Sequence, residues 1–139
     1  MFEGLFILLI THGDFKCQQI FLRKPMINKG QVIYIINTLA FEAHKNAVEH
    51  GWWEEERSVG EIIALMHSEL SEALEYARVN PNALSDHIPE FTGIEEELAD
   101  VIIRIFDYAG KEDLRLGEAI FEKMKYNKTR PYKHGNKKF

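Results

Sequence analysis

The sequence predicts an all-α fold, a four-helix bundle, and three observations predict it. Apolar residues recur at helical spacing in four segments, S-x-x-E and T-x-x-E capping boxes open two of them, and Gly or Pro closes each. The chain has 139 residues, 45% of them hydrophobic and 28% charged. A chain of this size is one domain that buries roughly two-thirds of its unfolded surface without needing a disulfide or a structural metal.

In the first helix, residues 30–50, Val32, Ile35, Ile36, Leu39, Ala43 and Ala47 keep the helical period, and Gly51 stops it. The run VIYII resembles a strand, but the period continues well past strand length. The second helix opens at the Ser58–Glu61 capping box and runs to about Arg78, where Asn80-Pro81 ends it. Residues 79–91, rich in Asn, Pro, Ser and Asp, read as a loop that carries His87 at the surface. Thr92 and Glu95 open the third helix, which runs to Gly110. The fourth spans about Asp113 to Thr129 and stops before Pro131. Residues 26–139 thus form the helical domain, with no convincing strand. Residues 1–25 lack helical periodicity, and two readings stay open: a β-prone extension, or a native start at Met26. On either reading they add nothing to activity or assembly.

Cys17 is the one cysteine, which excludes an intrachain disulfide and a thiolate zinc cluster and suits a reducing cytoplasm; it reads as an inert thiol. The longest apolar run, Leu5 to Ile10, is too short to span a membrane, and it follows no basic segment of the secretory kind. Net charge is −5, unevenly spread: residues 123–139 hold seven Lys and Arg and no acid, which leaves −12 on residues 1–122. A basic end on an acidic body either binds nucleic acid or converges with the acids on one anionic substrate through metal ions. The acidic body would repel a long duplex, so the second reading is favoured and no nucleic-acid partner is expected. There is no Gly-rich phosphate loop, CxxC pair, helix-turn-helix signature or internal repeat.

The acids decide the chemistry. At about 100° per residue, Ile62, Leu65, Met66, Ala73 and Tyr76 all fall within about 60° of Glu69. Glu69 is therefore central to the apolar face of the second helix, Glu72 sits at its edge, and Ser68, Ser71, Glu75 and Arg78 lie opposite. On the third helix, Ile94, Leu98, Val101, Ile105 and Tyr108 form one apolar stripe, and Ile103 and Phe106 make the far side apolar too. Between them runs the polar strip Glu97, Asp100, Arg104 and Asp107. A helix apolar on two sides is covered on two sides, here by the bundle and by a second subunit, so at least a dimer is expected. Carboxylates cannot sit ionised in a core without counter-charge. Four acids against one interior arginine leave metal as the natural counter-charge, and all-oxygen ligands select a hard ion, Mg²⁺ or Mn²⁺. A ferritin-like di-iron site needs Glu-x-x-His, and none of the six histidines has a Glu three residues before it.

The motif ELSE (69–72), followed after 24 residues by ELAD (97–100), resembles the ExxE…ExxD signature of the MazG-like, all-α nucleoside-triphosphate pyrophosphohydrolases. The C-terminal EKMKYNKTRPYKHG is similar to that family's Lys…Asn…Arg phosphate-binding end, and the resemblance covers roughly residues 26–135. One departure is Ser68, where the family often has a second Glu before the first ligand. The resemblance implies a four-helix bundle of the all-α NTP pyrophosphatase type, assembled as a dimer or a dimer of dimers. It implies Mg²⁺, with Mn²⁺ as substitute, on Glu69, Glu72, Glu97 and Asp100 as the catalytic carboxylates. It also implies hydrolysis of an NTP or dNTP to the monophosphate and pyrophosphate, as house-cleaning of the nucleotide pool. Lys123, Asn127 and Arg130 share one face of the fourth helix, with Tyr126 beside them, and would hold phosphate oxygens. Trp52 and Trp53 follow the first helix, where the family often places aromatic residues against the nucleobase, and His44 and Asn46 are further candidate base or sugar contacts. The competing expectation is a non-catalytic helical module for oligomerisation or for nucleic-acid binding through the basic tail.

Overall fold

A computed structural model describes residues 28–132 of the chain. The N-terminal segment with Cys17 and the last basic residues, 133–139, lie outside the described residues. Four helices carry the fold: α1 (Lys29–Glu49), α2 (Val59–Val79), α3 (Gly93–Lys111) and α4 (Leu116–Lys128). Among the described residues there is no strand, only an isolated antiparallel bridge between Leu84 and Thr92 that closes the α2–α3 loop. None of these helices is long and apolar enough to cross a membrane.

Local chemistry sets the helix ends. Asn28 and Gln31 form a capping box at α1, with amide side chains in place of the Ser or Thr and the Glu at the starts of α2 and α3. At α2 the Ser58 hydroxyl accepts from the Glu61 N–H at 3.2 Å, which is half of the expected box. At α3 the box is complete: Glu95 N–H donates to Thr92 Oγ1 and Thr92 N–H donates to Glu95 Oε2. Gly51, at φ 78°, takes the left-handed conformation that releases the chain from α1 at little steric cost. The fourth helix starts later than its sequence pattern suggested. Helix α3 runs on to Lys111, Asp113 enters the left-handed region at φ 49°, and the Leu114 N–H closes the reversal on the Ala109 carbonyl at 2.9 Å.

Helix α3 is the centre of the molecule, packing against both α1 and α2, while α4 packs on α1. Two glycines allow these approaches. A β-carbon at Gly110 would overlap the Ala40 carbonyl oxygen and the β-carbon of His44, so its absence lets α3 press onto the α1 backbone. A β-carbon at Gly93 would overlap the Tyr76 ring, so α3 begins directly beneath that side chain. The buried apolar residues are small or few: Ala40, Ile62, Ala73 and Ala109. Leu98, Ile102 and Ile103, on the flank of α3, are about half exposed. Gly110→Ala is expected to destabilise the fold by about 1–3 kcal/mol through overpacking at the α1–α3 crossing. Urea denaturation checks this; an unchanged midpoint would mean that the two backbones separate freely there.

Candidate metal centre

The helical phase places Glu69 where the apolar pattern requires. Ile62, Glu69 and Ala73 are the buried residues of α2, while Ser71, Glu75 and Arg78 are exposed. From the facing side α3 presents Glu97, buried, and Asp100, half-buried, one turn apart. Carboxylate oxygens of Glu69, Glu97 and Asp100 all lie within 4.8 Å of one another. Glu72 is exposed and stands outside this group of three, at the edge of the α2 face, yet its charge still acts on Glu97. Ser68 is half-buried and turns its hydroxyl back onto the Leu65 carbonyl at 2.7 Å, so it takes no part.

The electrostatics of the three acids are unbalanced. Loss of water pushes Glu97 up to about 7, and the charges of Glu72 and Glu69 add to the shift. Asp100 is raised as well, first by burial and then by Glu69 and Glu96, against the opposing pull of Arg104. The counter-charge is one guanidinium: Arg104, a turn beyond Asp100, brings Nε to 2.6 Å and Nη2 to 2.5 Å of the same Glu69 oxygen. Beside the cluster, Glu96 is buried but well served. The Ser85 hydroxyl and His87, 2.7 Å away, hold its carboxyl below the ordinary range. His87 is exposed, as its loop position predicted, and it also ties the α2–α3 loop to α3.

Next to the cluster opens a cleft of about 280 Å³, lined by Trp52, Trp53 and Arg57 from the α1–α2 loop and by Asp100, Arg104 and Asp107 of α3. Asn46 also lines it. Asp107 organises its wall. Its Oδ1 accepts from Trp53 Nε1 at 2.8 Å and from His44 Nδ1 at 2.9 Å, since a carboxylate can only accept. His44 meets the Trp53 ring edge-on with centroids 5.6 Å apart, so it supports the indole rather than lining the cleft. Lys111 lies 4.8 Å from the Trp53 centroid, and Arg57 and Arg104 lie 5.1 and 5.7 Å from that of Trp52.

The structure therefore brings together Glu69, Glu97 and Asp100 with Trp52 and Trp53, from three segments distant in sequence. It does not bring the basic end of α4 to them. Lys123, Tyr126 and Asn127 are exposed and Arg130 is half-buried; Lys123 sits 4.9 Å over the Tyr126 ring. Helix α4 packs antiparallel on the N-terminal half of α1, with Gly117 against Asn37 and Ile33 and Glu122 paired with Lys29. None of its residues lines the cleft. Arg104 and Asp107, legible in the sequence as members of the polar strip, take specific partners in the structure: Arg104 closes on Glu69, and Asp107 on Trp53 and His44. The burial of Glu96 was not legible, because it depends on how Ser85 and His87 fold back.

The donor set suits a metal ion: all ligand atoms are oxygens, and three acids share one guanidinium. Glu69, Glu97 and Asp100 would hold such an ion, which would supply the positive charge that one guanidinium does not. No family model matches this chain, and no curated protein or solved structure shows significant similarity to it. What fold and site define is a class by geometry: over the described residues, a helical bundle with an inward acidic cluster beside an aromatic cleft.

Between the ordinary glutamate range and about 7, the folded chain holds a proton on Glu97 that the unfolded chain has released. Stability without metal therefore falls as pH rises through that window. Replacing Glu97 by Gln removes this dependence, and its stabilising effect is expected to be largest above about pH 7, with Tm raised on the order of 5 °C. Thermal melts of both proteins in EDTA from pH 5 to 8 check this. A wild-type minus variant difference that does not change with pH would contradict it.

Proposed function

We propose that the protein is a metal-dependent hydrolase that cleaves a nucleoside or deoxynucleoside triphosphate to the monophosphate and pyrophosphate. The observation that carries this reading is the placement of Glu69, Glu97 and Asp100 within 4.8 Å of one another at a cleft walled by two tryptophans. The resemblance of ELSE and ELAD to the MazG-like signature supports it, and with it Mg²⁺ as the ion, Mn²⁺ as a substitute, and Glu72 as a fourth, peripheral ligand. An ion held there by Glu69, Glu97 and Asp100 would supply positive charge to the triphosphate and polarise the attacking water. The chain supplies the rest. The carboxylates fix the site on two rigid helices, the tryptophan cleft takes the base, and Asp107 with His44 holds Trp53 in place.

The basic end of α4 enters this reading through a second copy of the chain. Between α1 and α3 lies an apolar groove of about 430 Å³ lined by Leu39, Ile102, Ile103 and Phe106. Covering it in a homodimer, or a dimer of dimers, would bury Leu39, Ile102 and Ile103, which are about half exposed among the described residues. Lys123, Tyr126, Asn127 and Arg130 of one copy then hold phosphates at the cluster of the other.

Incubation with each NTP and dNTP plus Mg²⁺ is expected to release pyrophosphate, and Glu69→Gln and Asp100→Asn to abolish it while the fold persists. Wild-type activity undiminished by EDTA would refute the metal mechanism. Arg130→Ala is expected to lower kcat/KM about thirtyfold for all nucleotides alike, because phosphates carry no base identity. Trp53→Ala is expected instead to change the ranking among bases. Mixing Glu69→Gln with Arg130→Ala protein should restore roughly a quarter of wild-type activity, since half the dimers are mixed and each has one intact site of two. Absence of recovery, or a clean monomer by light scattering at micromolar concentration, would remove the second copy from the site.

A further inference from the structure

We infer that Arg104 is a substrate-binding residue held in reserve: its guanidinium neutralises Glu69 until an ion takes that carboxylate, and then turns to the triphosphate. The inference rests on the function proposed above and adds to the basic end of α4 a phosphate-binding cation from the chain that holds the carboxylates. Arg104 is the cation that touches the acidic cluster among the described residues, through Nε and Nη2 on Glu69 Oε1. It also lines the cleft and lies 5.7 Å from the Trp52 centroid, so it stands at the junction between metal ligands and base pocket. A triphosphate reaching from the tryptophans to the carboxylates has to pass it.

The charge balance drives the exchange. An ion bound to Glu69 would put two positive groups on one carboxylate, and their repulsion loosens the guanidinium. Trp52 then keeps the released group at the cleft wall rather than in bulk solvent, because its ring face attracts the cation. Arg57 already lies 5.1 Å from the same ring. Two guanidiniums gathered on one indole repel each other and are both relieved by an anion between them. Arginine fits the task by shape, since its planar fork matches two phosphate oxygens at once, and lysine cannot reproduce this.

The test follows the ¹⁵N–¹H signal of Arg104 Nε in the wild-type protein, assigned by its loss in Arg104→Lys. It is expected to shift on addition of Mg²⁺ and to shift again on addition of inorganic tripolyphosphate. Arg104→Lys keeps a cation beside Glu69 and is expected to stay folded by circular dichroism. It should bind Mn²⁺ within about threefold of wild type, yet bind tripolyphosphate about tenfold more weakly in the presence of metal. Its kcat/KM should fall by a similar factor for every nucleotide. Arg104→Gln removes the competitor for Glu69 and should tighten Mn²⁺ binding about tenfold, a change that a merely structural ion pair to a non-ligand would not produce. An Nε signal that ignores tripolyphosphate, or unchanged tripolyphosphate affinity in Arg104→Lys, would make Arg104 a structural counter-ion and overturn the inference alone. A wild-type protein that binds no Mn²⁺ would overturn the metal-dependent function and this inference with it.

Discussion

The structure turns on one electrostatic conflict: three carboxylates from two helices share a partly buried space that contains one guanidinium. Desolvation and mutual repulsion both act against the charged forms, and the outcome is visible in Glu97, pushed up to about 7. A fold selected only for stability would place Leu or Met at such positions, because buried acids return less than apolar packing does. The acids are kept in place by their surroundings. Ile62 and Ala73 bury the α2 face on either side of Glu69, and α3 is pinned at both ends, by Gly93 under Tyr76 and by Gly110 against Ala40. The helices cannot rotate the acids outward without breaking those contacts.

The same helix builds the cleft. Counting along α3 from Glu97, the polar residues Asp100, Arg104 and Asp107 follow at three- and four-residue steps, so they form one stripe. Its first part faces α2 and holds the acidic cluster; its last part faces α1 and the loop after it, where Asp107 fixes Trp53 and His44. One polar stripe on a helix packed against two neighbours therefore serves as acidic cluster, counter-ion and pocket wall. The aromatic residues come from the loop that Gly51 opens at the end of α1, which is why the turn matters to the site as much as to the fold.

Among the described residues, the buried apolar ones are three alanines and Ile62, while Leu39, Leu98, Ile102 and Ile103 stay about half exposed. Ile102 and Ile103 of the central helix meet Leu39 of α1 in the groove between the two helices. On the function proposed above, a second copy of the chain would both cover this surface and bring the basic face of α4 to an acidic cluster.

The sequence by itself determined the helices and the direction of Glu69. Helix phase depends on residues a few positions apart, so the apolar pattern around Glu69 and the Thr92–Glu95 box could be read directly, and both are present in the structure. It also determined that Glu97 and Asp100 share a stripe with Arg104 and Asp107. Only the tertiary structure decided which groups meet across helices. Arg104 closing on Glu69, Trp53 on Asp107, and Ser85 and His87 on Glu96 join residues from separate segments, and no local period records those distances. The start of α4 was missed for a related reason: the left-handed turn at Asp113 is fixed by the Ala109–Leu114 hydrogen bond, not by the residue type. The basic face of α4 was legible as a face, but where it points is set by packing on α1. A one-dimensional pattern specifies how a helix is coloured; only the packed chain specifies what that colour confronts.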